Sequence, residues 1–108
     1  AKLNGSDKEL WVALLEKAYA QAKGQLAQLE VYKNSLKAIM MKKSGEQTIG
    51  AQEREAYASE EYQNLCKAID EATRETEEMK WKLEAAKMRF QAWQTESANN
   101  RQIEKMTL

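Results

Sequence analysis

The chain has 108 residues, room for one small domain rather than two. It holds no Pro and only four Gly, and 31% of its residues are charged, which is the composition of long helices or coiled coil. Its formal net charge of zero excludes global steering toward nucleic acid or anionic lipid, its single cysteine excludes an intrachain disulfide, and the absence of His excludes histidine-based triads, bases and metal sites.

Residues 1–6 read as a flexible N-terminus or a cloning remnant. Ser6 followed by Glu9 forms a capping box, and Asp7 places negative charge at the positive end of a helix dipole, so a first helix is expected over about 7–43. Its apolar stripe runs through Trp11, Leu15, Ala18, Ala22, Leu26, Leu29, Tyr32, Leu36 and Met40, with Leu14 and Ile39 on the flank. Gly24 costs this helix about 1 kcal/mol against Ala without breaking it, and with Ala18 and Ala22 it offers a small-residue surface for close backbone approach. Lys42 and Lys43 suit the C-terminal end, and Gly45 suits a cap.

The turn spans 44–50. Thr48 caps a short helix over about 49–58 that carries Glu53, Arg54 and Glu55. Ser59 is a second cap, with Glu60 and Glu61 behind it, and a bend or break is expected there. A long helix then runs over about 60–104. Its heptad is almost unbroken: Tyr62, Leu65, Ile69, Ala72, Thr76, Met79, Leu83, Ala86, Phe90 and Trp93 recur in steps of three and four.

Such a seam needs another helix to cover it. A short turn between long helices makes an antiparallel hairpin, so the expected fold is all-α, a single helical-hairpin domain over 7–108. The register sets Leu36 near Leu65, Leu29 near Ala72, Ala22 near Met79 and Leu15 near Ala86, with Trp11 meeting Phe90 and Trp93. The expected core is therefore Trp11, Leu15, Leu29, Leu36, Leu65, Ile69, Met79, Leu83, Phe90 and Trp93. A second stripe, Trp81, Ala85, Met88 and Ala92, lies on the opposite face of the long helix. A helix apolar on two sides is covered on two sides, so this stripe is the expected oligomer interface of a homodimer, a four-helix bundle of two hairpins. The competing reading lays Trp81 flat on the surface beside Lys80 and Lys82.

Charge is segregated. Residues 1–43 carry eight basic and four acidic groups, whereas residues 60–79 carry seven acidic groups against Lys67 and Arg74. The acidic block can face Lys33, Lys37, Lys42 and Lys43; exposed pairs are worth only about 0.2–1 kcal/mol each and select register more than they stabilise.

No catalytic constellation emerges, so the chain reads as a non-enzyme with no cofactor and no metal. Cys66 lies beside the seam as a structural thiol without a base to activate it. Glu71, Glu75 and Glu78 share a face that could hold a divalent cation weakly, and equally reads as a solvated acidic surface. No phosphate-binding glycine loop is present. Lys80, Lys82, Lys87 and Arg89 around Trp81 allow single-stranded nucleic-acid binding as an alternative function, although the seam claims Phe90 and Trp93 first. No stretch has the length and apolarity of a membrane span. Near the C-terminus, Asn99, Asn100 and Arg101 form either a fraying end or a candidate partner-binding tip.

Residues 10–20 look like a helix segment of calpain-type cysteine proteases, but without His that family's catalytic dyad cannot exist here, and nothing carries over. A broader resemblance covers about Ala22 to Arg101. Ser44-Gly45 with Thr48, Glu53-Arg54-Glu55, Ala58-Ser59 with Tyr62, and Trp93 with Thr95 and Ala98-Asn99-Asn100-Arg101 resemble a group of small, largely uncharacterised helical proteins of tailed phages and prophages, often encoded near recombination or replication genes. The resemblance implies an accessory or adaptor protein in the host-cell cytoplasm, with a phage or host protein as partner. It implies no catalytic residues.

Overall fold

The computed structural model describes residues 5–107. Three helices follow one another, α1 (Gly5–Lys43), α2 (Ile49–Ala58) and α3 (Glu60–Thr107), with no strand among the described residues. The architecture is an all-α helical hairpin whose turn carries the short α2. Of the stretch 1–6 expected to be flexible or foreign, residues 1–4 lie outside the described residues, and Gly5 and Ser6 are already helical. Ser6 is therefore not the cap expected of it, since a capping residue needs non-helical backbone.

The turn is built from hydroxyls and one glycine. Gly45 adopts a φ of 73°, the left-handed conformation that ends a helix at least cost. Ser44 donates its amide (3.3 Å) and its hydroxyl (2.7 Å) to the Met41 carbonyl. Thr48 has extended backbone and accepts the Ala51 amide at 3.2 Å. Ser59 ends one helix and starts the next. Its own backbone is extended, its amide and hydroxyl donate to the Ala56 carbonyl, and its Oγ accepts the Tyr62 amide at 3.2 Å. The break expected there is thus a full interruption one residue long.

The chain divides into two compact units, one spanning residues 21–77, the other joining α1 up to Ala20 with α3 from Glu78 onward. In the first, Leu36, Met40, Ala56 and Leu65 form a buried cluster with Leu29, Met41 and Ile69 packed against it. Tyr62 and Thr76 are also buried there, and the Thr76 hydroxyl is satisfied by the Ala72 carbonyl at 2.7 Å. In the second unit, Leu15, Leu83 and Ala86 are buried, with Val12, Tyr19 and Met79 around them. Phe90 and Trp93 are half-buried and stack on each other, centroids 6.0 Å apart.

Along α3, every heptad position from Tyr62 to Trp93 is buried or half-buried. On α1 the covered positions differ from the apolar stripe. Val12, Leu15, Tyr19, Ala22, Leu26, Leu29, Lys33, Leu36 and Met40 recur in strict alternation of three and four. Trp11, expected in the core, stands 50% exposed, and Tyr32 48% exposed. Each lies one residue out of phase with this repeat, so the 3.5-residue period of the seam overrides side-chain hydrophobicity. Nor is Gly24 a point of close approach, because a Cβ placed there would meet nothing within 4 Å.

Candidate functional site

Two surfaces stand out from the helical scaffold. One lies where α2 rests on α1 and α3, within residues 21–77. Lys33 enters the α1 seam by phase, and its ammonium lies over the Tyr62 ring, 5.9 Å from the centroid. One turn on, the Lys37 ammonium lies 4.8 Å from the Tyr57 centroid and 3.6 Å from the Glu53 carboxylate. Tyr57 and Tyr62 meet edge to face at 5.2 Å. Hydrogen bonding to Tyr57 foremost, and then the charge of Glu53, raise the Lys37 pKa above its ordinary 10.5. Lys33 and Tyr62 thus join α1 to α3, while Lys37, Glu53 and the Tyr57–Tyr62 edge contact tie α2 to both neighbours. Lys37 was expected to face the acidic block of 60–79, but its partner is Glu53 on α2. The legible signal was the spacing of Glu53 and Tyr57, four apart and so on one face of a helix.

The second surface is the outer face of α3. Trp81 is 63% exposed and Met88 68%, against 4% for Leu83 on the opposite face. Ala85 and Ala92 on the same stripe are exposed too. Within one chain this stripe is uncovered. The Lys80 ammonium lies 5.4 Å from the Trp81 centroid, and Lys87 pairs with Glu84 at 3.8 Å, so two of the cations suited to nucleic acid have local partners.

The remaining candidates are dispersed. Asn99, Asn100 and Arg101 are exposed but helical, since α3 continues to Thr107 instead of fraying at the paired asparagines. The Arg101 guanidinium turns back to the Ser97 carbonyl at 3.3 Å. Cys66 is half-buried. Among the described residues no group of three His, Cys, Asp or Glu side chains could hold a metal ion, and no helix is long and apolar enough to cross a membrane.

The side-chain amides of Gln52 and Gln63 complete the capping motifs and were not singled out in the sequence. Gln52 donates to the Glu46 carbonyl at 2.9 Å and Gln63 to the Tyr57 carbonyl at 2.7 Å. Each lies four residues after a capping hydroxyl and reaches the carbonyl two residues before it. The readable signal is a Thr or Ser followed four positions later by Gln, present as Thr48–Gln52 and Ser59–Gln63.

No known protein-family model matches the chain, and no curated protein or solved structure matches it significantly.

Proposed function

We propose that the protein is a non-enzymatic adaptor that works through helix–helix contacts, pairing with itself across Trp81, Ala85, Met88 and Ala92 and engaging another protein through its remaining helix faces. The observation that carries this reading is the exposure of Trp81 and Met88 on one stripe of α3, opposite a seam already covered by α1. Large apolar side chains aligned on one face stabilise association when covered, by about 1.5–3 kcal/mol for each fully buried residue. Phage DNA recombination or replication is the setting that the resemblance of the turn and the Asn-Asn-Arg segment implies, and it rests on that resemblance alone.

Sedimentation equilibrium on the chain and on Trp81→Lys tests the pairing. The expected result is a dimer that the substitution converts to a helical monomer. A wild-type monomer at tens of micromolar overturns it. Titration with a single-stranded oligonucleotide separates the competing function: quenching of Trp fluorescence that fades steeply with salt would assign the Lys80–Arg89 surface to nucleic acid instead.

A further inference from the structure

We infer that the second copy docks α3 against α3 in parallel and in register, over a stripe that extends from Trp81 to Met106. This inference rests on the self-association proposed above and specifies its geometry.

The outer face of α3 carries a heptad of its own, offset from the seam. One inward position is filled by Trp81, Met88, Thr95 and Gln102. The other is filled by Ala85, Ala92, Asn99 and Met106. All eight are exposed in the single chain. The large exposed apolar residues of α3 are Trp81, Met88, Ile103 and Met106, and all belong to this stripe or its edge. Asn99 then occupies an inward position, where one polar residue fixes register in a two-stranded parallel coil, and Asn99 of each copy meets its equivalent. A pair of amides can donate and accept mutually, which neither does against an apolar layer.

Charge on the flanks selects the direction. Glu84 lies on one flank, with Gln91 and Ala98 following at intervals of seven. Lys82, Arg89, Glu96 and Ile103 lie on the other. Parallel helices bring opposite flanks together, each residue meeting one five positions further along the other chain. Glu84 then meets Arg89 of the second copy, twice by symmetry, and Ala98 meets Ile103. A shallow hollow bordered by Ala98, Arg101, Gln102, Lys105 and Met106 lies beside the Ala98 that this Ile103 would meet. Antiparallel helices bring like flanks together. The register that sets Trp81 on Ala92 and Met88 on Ala85 opposes Lys82 to Arg89 and sets Ile103 and Met106 against the charged Asp70 and Lys67 of the second copy. That arrangement alternates large and small side chains better, but it gives only half of the apolar stripe apolar partners.

The test uses the full chain with Cys66→Ser, carrying either Ala85→Cys or Ala92→Cys, under mild oxidation and beside sedimentation of the wild type. Disulfides need Cα atoms within about 7 Å. Seven helical residues span about 10 Å, so in an antiparallel pair at most one of the two sites can meet its own copy. Both sites are exposed, so the hairpin tolerates them. The expected result is a wild-type dimer in which each variant cross-links to itself and a mixture of the two gains no preferred mixed product. A dimer in which at most one of the two variants cross-links to itself overturns the parallel arrangement and leaves self-association standing. A wild-type monomer overturns self-association, and the parallel arrangement with it.

Discussion

Ala56 is fully buried, the one residue of α2 in the core, and it shares that core with Leu36, Met40 and Leu65. A methyl group is all that this contact admits. Ala56→Leu forces three more carbons into a closed cluster and is expected to cost about 1–3 kcal/mol, read as a lower midpoint in urea unfolding. Gly24 is the opposite case. Its position is helical and a Cβ there meets nothing, so Gly24→Ala is expected to stabilise by about 0.5–1 kcal/mol through the lost freedom of the unfolded chain. An unchanged or lowered midpoint would mean that α1 is bent or contacted at Gly24. Lys37 adds a pH signature. Its pKa is raised in the folded state, so its contribution is fully present below 10.5 and is lost as pH climbs through the higher folded value. Wild-type stability is therefore expected to fall more steeply above that pH than the stability of Lys37→Met, in paired unfolding curves between neutral pH and pH 11. Parallel curves for the two proteins would remove the link to Tyr57 and Glu53.

At the scale of elements, Ser59 decides that α2 and α3 are two helices. It satisfies a carbonyl behind it and an amide ahead of it with one hydroxyl, and Gln63 braces the same turn. Ser59→Ala is expected to cost about 0.5–2 kcal/mol, the usual price of a lost cap. A gain in stability and helicity would instead mean that Ala extends α2 straight into α3 and frees Ala56 from the core. This break was legible because Ser59-Glu60-Glu61 announces a helix start. The α3 seam was legible because its apolar residues and its heptad coincide from Tyr62 to Trp93. On α1 they do not coincide. Hydrophobicity selects Trp11 and Tyr32, whereas the period selects Val12, Tyr19 and Lys33. A lysine in a seam is invisible to an apolar count, yet here its ammonium finds the Tyr62 ring. The outer stripe was readable only as far as Ala92, because beyond it Thr95 and Asn99 interrupt the apolar run and only the phase continues.

For the whole molecule, direction of pairing can be tested through charge alone, without new covalent bonds. In a parallel pair Glu84 faces Arg89 of the second copy. Glu84→Lys sets a cation against that Arg, and Arg89→Glu sets two carboxylates together. Each variant alone is expected to dimerise more weakly than wild type by roughly two- to thirtyfold, because two symmetric exposed pairs worth about 0.2–1 kcal/mol each are lost. Mixed in equal amounts, the two variants regain both attractions in the heterodimer, and association is expected to return toward the wild-type level. Glu84 also pairs with Lys87 in its own chain, so loss in the single variant could reflect that contact. Recovery on mixing could not, since no intrachain contact is restored by adding a different molecule. An antiparallel pair makes the opposite statement: Arg89 then lies near Lys82, so Arg89→Glu alone would tighten it, and mixing with Glu84→Lys would bring no further gain. Sedimentation velocity of the three samples at low ionic strength, where exposed charges act over the longest range, distinguishes the two.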